Sequence, residues 1–329
     1  MTKTPWLAVL ISLAVLFSIN ILMVTSVAPG SVGKQLIAWG IGLILFFIGR
    51  MVNPKQIASS KWFIFIGSCI LLLIPILLNN ITRGSRRWID LGFTSIQPSE
   101  FVKPWLMLFL ANTDIPLLHF IPVGIIMLQP DLGSALSVLF LMVPIILYNH
   151  KLLKISLLIG AIFIIFSPIL YNVVLHDYQK DRIINFINPS SDPLGKGYNV
   201  IQSKIAIGSG GFWGKGYKKG TQGQLLFLPE KHTDFMFATT AEELGVFGVI
   251  IVLSAYYFLI KTLFNKAFLS KNNRVLFLFT LGIATQIWMQ AFVNIGMNIG
   301  ILPVTGIPLP FLSVGGSSIM TLLFSIGVI

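Results

Sequence analysis

The sequence predicts an all-α integral membrane protein of about ten transmembrane helices with a large fourth extracytoplasmic loop. Three observations carry this. The 329 residues are 55% apolar and only 10% charged, where a soluble domain is typically about a quarter charged. Apolar runs approaching the roughly 20 residues needed to cross a bilayer recur from end to end. One long stretch, 176–232, interrupts them with polar and glycine-rich sequence. The whole chain, 1–329, is therefore read as a single polytopic domain with outer loops at approximately 80–98, 176–232 and 298–310.

The first run, Trp6 to Val27, is long enough to span and lacks a small-residue cleavage site, so it reads as a membrane helix rather than a signal peptide. Further spans are expected at approximately 34–50, 61–79, 99–112, 118–129, 131–148, 152–175, 233–264, 273–297 and 311–329. Those at 99–112 and 118–129 are short and broken by Pro104, Pro116 and Pro122. The single cysteine, Cys69, lies inside an apolar run, which excludes a disulfide framework and a cysteine-based metal site. No nucleic acid is expected as a partner.

Orientation follows from basic residues in the short loops, which are retained on the cytoplasmic side. With alternating spans, ten of them (Lys3, Arg50, Lys55, Lys61, Lys151, Lys154, Lys261, Lys266, Lys271 and Arg274) share one side, against Lys34, Arg83, Arg86 and Arg87 on the other. Both termini are predicted to be cytoplasmic. The long loop then falls on the outer face, where its excess of lysine, including Lys204 and Lys231, suits either an anionic substrate or plain solvation. Within it, residues 199–207 predict a short amphipathic helix lying in the interface, with Phe212, Trp213 and Tyr217 as anchors.

The junction Pro229-Glu230-Lys231-His232-Thr233-Asp234-Phe235, where this loop meets a long apolar run, is the best candidate for a reactive centre. A carboxylate there can meet a water-borne group attached to a lipid-borne one. The competing reading is that Asp234 merely caps the helix that follows. The other outer loop carries Arg83, Arg86 and Arg87 beside Trp88. Guanidinium binds phosphate oxygens in bidentate fashion and indole packs on apolar faces, so the cluster fits a diphosphate next to a lipid or an ordinary interfacial anchor.

Charges inside spans are costly, at least ~2.5 kcal/mol each at mid-bilayer, and need a partner or a role. Glu100 and Lys103 are spaced to pair on one helix face, and Asp131 is the expected third member of a buried structural ion network. Glu242 and Glu243 lie ~12–14 Å deeper than Asp234 along a helix, as packing partners or a lining. The proline-rich last outer loop must be buried in protein or line a cavity, and Asn294 and Asn298, a turn apart, are placed to face that cavity together with Gln290.

The stretches "RGSRRWIDLGFTSIQPSEFVK", "QPDLGSA", "DPLGKGYNVIQSKIAIGSGGFWGKGY", "GTQGQLLFLPEKHTDFMFATTAEELGVFG" and "VNIGMNIGILPVTGIPLPFLSVGGSS" together resemble the SEDS family of shape, elongation, division and sporulation proteins, most closely its elongation-type members. The resemblance covers most of the chain from about residue 83 onward; the first two spans match in hydropathy alone. The connection "ANTDIPLLHF" looks abbreviated beside the family's.

The resemblance implies a ten-span bundle that polymerises peptidoglycan from lipid II at the outer face of the cytoplasmic (inner) membrane. It implies a class B penicillin-binding protein, a transpeptidase, as partner, alongside lipid II and membrane lipids. Asp234 matches the family's acidic residue of the fourth outer loop, Trp88 its tryptophan, and Glu100, Lys103 and Asp131 its internal charged cluster. In that frame Asp234 is the catalytic general base, and Arg83, Arg86, Arg87, Trp88, Lys204, Lys231 and His232 are the expected substrate-binding set. A divalent cation such as Mg2+ is a candidate cofactor with no ligands assigned. The alternatives are a lipid II flippase and a scaffold for a partner cell-wall synthase.

Overall fold

Uninterrupted apolar runs become long helices. α1 (Pro5–Val27), α2 (Val32–Met51) and α4 (Lys61–Leu78) occupy the first three expected spans, with a short α3 (Pro54–Ser59) between the last two. The computed structural model describes residues 5–78, 87–90, 95–113, 115–159, 161, 197–225 and 227–329. Among the described residues, five helical stretches are long and apolar enough to cross a membrane: Trp6–Val27, Pro29–Met51, Lys61–Leu78, Met236–Leu269 and Arg274–Ile299. Their outward faces carry Leu7, Ile11, Ile37, Ile44, Phe47, Phe63 and Ile70, all exposed. Such a continuous apolar face is the lipid contact of a multi-pass membrane protein.

The remaining helices are shorter. α5 (Pro98–Ala111) starts on a proline, which lacks only an amide that would have no intrahelical partner there. α6 (Phe120–Met127) follows. The span expected at 131–148 is α7 (Leu132–Leu139), a 3-10 turn and α8 (Val143–Tyr148). Helix continues through 150–159; the rest of the span expected at 152–175 lies outside the described residues, as does the loop up to 196.

α9 (Tyr198–Ser209) forms where the sequence predicts a short amphipathic helix and packs on the bundle, burying Val200, Ser203 and Ala206. Phe212, Trp213 and Tyr217 are exposed beyond it. A single turn, α10 (Thr221–Gln224), precedes the reactive-centre candidate. The chain ends with α11 (Met236–Leu269), α12 (Arg274–Ile299) and α13 (Gly316–Val328).

α13 packs along α2 at backbone distance. A Cβ on Gly49 would lie 2.6 Å from the Phe324 carbonyl oxygen, and one on Gly42 would lie 2.6 Å from the Leu323 side chain. Small residues permit this approach, which in lipid replaces the hydrophobic drive between helices.

The run expected at 233–264 is not one straight helix. At Gly245 the backbone turns to φ 65° and ψ −165°, a region open to glycine. The groups released by the break are stitched to the loop. Lys215 and Gly216 amides donate to the carbonyls of Glu242 and Glu243 at 2.9 and 3.1 Å, and the amides of Val246 and Phe247 donate to Gly211 and Phe212 at 3.0 and 3.2 Å. Each of these backbone groups thereby finds a partner, as an apolar surrounding requires.

The two glutamates extend the same stitch with their side chains. Glu242 pairs with Lys215 at 2.7 Å and accepts from Thr221 Oγ1 and the Gln222 amide, both at 3.0 Å. Glu243 accepts from Ser26 Oγ at 2.6 Å, which ties the loop to α1, and from the Lys218 amide at 3.1 Å. Both are buried, and they fix the loop that carries residues 229–235.

Candidate active site

A cavity of about 280 Å³ opens where the β-hairpin, α5, α7, the 229–235 junction and the last loop converge. Its wall includes Arg87, Trp88, Glu100, Glu230 and Asp234. The hairpin explains part of this assembly. Ile89–Asp90 pairs antiparallel with Ser95–Ile96, Ile89 opposite Ile96, so Arg87 and Trp88 before it and Gln97 after it emerge side by side. The Gln97 amide donates to Ser317 Oγ at 3.2 Å, anchoring the hairpin to the start of α13.

Asp234 precedes α11, and the cap position of that helix falls on Phe235, whose side chain makes no capping bond. The backbone of Asp234 is held firmly. Its amide donates to the Glu230 carbonyl at 3.1 Å, and its carbonyl accepts from Asn294 Nδ2 at 3.1 Å and Asn298 Nδ2 at 3.0 Å. Asn298 Oδ1 also accepts the Ala238 amide at 3.1 Å, an orphan donor of the helix start. On either side, Ser313 Oγ donates to the Thr233 carbonyl at 2.5 Å and the Val314 amide donates to that of His232 at 2.8 Å. The carboxylate points into the cavity toward Gly306, where an added Cβ would meet Asp234 Oδ2 at 3.7 Å.

Arg87 lies across the cavity wall. Its Nη1 is 3.0 Å from Asp131 Oδ1, while its Nε and the neighbouring Ser318 Oγ are buried with no hydrogen-bond partner among the described residues.

Asp131 does not join Glu100 and Lys103 as expected. It caps α7, accepting the Ser134 amide at 3.1 Å and Ser134 Oγ at 2.6 Å, and accepts from Gln97 Nε2 at 3.1 Å. The Glu100–Lys103 pair closes on itself at 2.5 Å with both residues buried. The expected triad is thus two separate units, because the hairpin delivers Arg87 to Asp131.

The other expected substrate contacts lie elsewhere. Lys204 lies against Gly300 at the C-terminal end of α12, where a cation suits the helix dipole. Lys231 Nζ donates to the Gly223 carbonyl at 2.5 Å; burial holds its pKa below the usual lysine range, with the Glu243 charge opposing. Neither these two nor His232 line the cavity. Arg83 and Arg86 lie outside the described residues. Sequence reasoning passed over Gln97, Ser134 and Gly306, and saw Asn298 as a cavity-facing residue rather than as the support of Asp234.

Glu100, Glu230 and Asp234 share the cavity, yet among the described residues no three His, Cys, Asp or Glu side chains stand close enough to hold a metal ion. Mg2+ commonly takes only one or two carboxylates, together with water and substrate phosphates; of the three acids in the cavity, Glu100 is already engaged by Lys103.

Fold and site together define a polytopic membrane protein with a charged cavity at one end of the bundle, walled by a carboxylate, a guanidinium and an indole. This chain belongs to the cell cycle protein family of FtsW, RodA and SpoVE, matching it over residues 2–329. It is 38% identical to the peptidoglycan glycosyltransferase MrdB of Escherichia coli K12, covering 98% of this chain and 91% of that protein. It is 35% identical to MrdB of Helicobacter pylori, covering 90% and 81%. Among solved structures it is similar to a chain of a peptidoglycan synthase complex that coordinates polymerization and crosslinking, at a TM-score of 0.81 and 30% identity, covering 97% and 94%. It is also similar to the rod shape determining protein RodA of Thermus thermophilus, at a TM-score of 0.69 and 27% identity, covering 97% and 93%.

Proposed function

We propose that this protein is a peptidoglycan glycosyltransferase that polymerises lipid II into glycan strands at the outer face of the cytoplasmic membrane during cell elongation, with Asp234 as general base. The observation that carries the proposal is the placing of the Asp234 carboxylate in one cavity with Arg87 and Trp88, on a backbone held by Asn294 and Asn298. The names and full-length similarity of the relatives support the same reaction.

In this reading the Asp234 carboxylate takes the proton from the acceptor sugar hydroxyl as that oxygen forms its bond to the donor's anomeric carbon. The bond from that carbon to the lipid diphosphate breaks, and the diphosphate leaves with the electron pair. A single displacement at an α-linked donor inverts it to a β linkage. Arg87 offers guanidinium hydrogen bonds where charge builds on the diphosphate, and Trp88 offers an apolar face to sugar or lipid. The pinned Asp234 backbone supplies the fixed geometry that such a transfer needs.

The cavity then faces outward, both termini lie in the cytoplasm, and a class B penicillin-binding protein crosslinks the strands that emerge. Purified protein with that partner and labelled lipid II tests the reading. Glycan strands are the expected product. Transbilayer movement of lipid II without polymer would make it a flippase, and neither activity would make it a scaffold.

A further inference from the structure

At the end of the bundle opposite the Asp234 cavity, two basic side chains, Arg50 and Lys266, come together. The sequence has no Asp or Glu before Asp90 and none after Glu243, so α1, α2, α13 and the far end of α11 offer no acidic side chain there. Arg50 in the last turn of α2 and Lys266 in the last turn of α11 both stand over one ring, with Arg50 Cζ 4.6 Å and Lys266 Nζ 3.4 Å from the centroid of Trp6. The indole attracts each cation but does not cancel their mutual repulsion. Among the described residues neither forms an ion pair with a carboxylate. An anion bridging the two would relieve that repulsion.

The chemistry on the bilayer side of Trp6 indicates which anion. Trp6 packs edge-on against Phe46 with ring centroids 6.1 Å apart. Phe46 begins the wall of an apolar groove of about 450 Å³ between α1 and α2, lined also by Leu10, Phe17, Gly40, Leu43 and Phe47. The groove is open to lipid, since Leu10, Leu43 and Phe47 are exposed. From Leu10 to Phe17 it runs roughly 10 Å along the helix. The groove's lining is apolar along that whole length, which suits a hydrocarbon chain.

We propose that this is a binding site for an anionic phospholipid of that leaflet, its phosphate bridging Arg50 and Lys266 and one acyl chain lying in the α1–α2 groove. The site is independent of the glycosyltransferase reading, and it is remote from the Asp234 cavity.

Native mass spectrometry of the purified full-length protein, in detergent supplemented with phosphatidylglycerol or with phosphatidylcholine of the same acyl chains, reads the site directly. Wild type should retain phosphatidylglycerol about tenfold or more over phosphatidylcholine, as two basic contacts to an anionic lipid imply. Arg50→Gln, on an exposed side chain, should lower that preference, and Arg50→Gln with Lys266→Gln should abolish it. Gly40→Phe fills the groove at a position where an added Cβ meets nothing within 4 Å, and should lose the lipid with both cations in place. Equal retention of the two lipids by wild type overturns the proposal. So does a double variant that keeps the preference, a Gly40→Phe protein that binds as wild type, or a dimer mass that Gly40→Phe abolishes, which would give the groove to a second copy of the chain.

Discussion

Asn298 holds Asp234 from behind, donating from Nδ2 to the Asp234 carbonyl at 3.0 Å while its Oδ1 accepts the Ala238 amide at 3.1 Å. One side chain on α12 thus caps α11 from outside and fixes the residue that precedes it. Asn294, one turn earlier, adds a second bond to the same carbonyl at 3.1 Å and another to the Ile307 carbonyl at 2.8 Å. Both asparagines are buried, so the position of the candidate base is set by the packed interior rather than by the loop it ends.

Asn298→Leu should therefore lower both stability and turnover. It removes the bonds to Asp234, Ala238 and the Asn294 carbonyl and leaves buried partners unmatched, at a cost of roughly 2–4 kcal/mol. The apparent affinity for lipid II should stay near wild type, because Arg87 and Trp88 are untouched. Thermal melting and initial rates across lipid II concentrations check this. An Asn298→Leu protein with wild-type kcat would show that Asp234 needs no such support.

The long helices were legible because the length of an apolar run needs no knowledge of partners: α1, α2 and α4 fall within a few residues of the expected spans, and so does the proline-broken α5. The break at Gly245 was not legible. A glycine inside an apolar run is tolerated in a helix, and what opens this one is the backbone of residues 211–216, far from it along the chain. The Glu100–Lys103 pair could be read from its spacing, whereas the partner of Asp131 could not, since three arginines and a lysine competed for it and the hairpin decided for Arg87. Charge counts placed Lys204 and Lys231 in the right loop without giving the direction of either side chain.

The Glu100–Lys103 pair gives a stability prediction. Lys103→Met leaves Glu100 buried and unpaired, which should cost roughly 3–5 kcal/mol and show as a large fall in melting temperature. Adding Glu100→Gln should recover much of that loss. Because among the described residues Asp131 shares no partner with the pair, Lys103→Met and Asp131→Asn should be additive. Strong coupling between them in melting experiments would contradict the two-unit arrangement.

Arg87 should show both roles at once. Arg87→Gln strips a buried Asp131 of its cation and the cavity of its guanidinium, so melting temperature should fall and KM for lipid II should rise. Arg87→Lys keeps the charge but not the planar donor set, and should restore the melting temperature more than the KM. If Arg87→Lys restores both equally, Arg87 acts through charge alone and its planar donor set plays no part in binding.

Asp234 separates capping from catalysis most sharply. A cap needs only an oxygen that accepts from an amide, and Asn serves about as well as Asp; here Asn298 already takes the Ala238 amide. A general base needs a carboxylate that can take a proton, and losing it typically costs ~10²- to 10⁴-fold in rate. Asp234→Asn is isosteric and leaves the backbone carbonyl that Asn294 and Asn298 hold, so it should melt close to wild type and still associate with the proposed transpeptidase partner while making little or no glycan. Asp234→Glu keeps the charge but pushes it farther into the cavity toward Gly306, and should be poor as well. Glycan synthesis by purified Asp234→Asn at near wild-type rate would remove Asp234 as the base and turn attention to Glu230, which lines the same cavity.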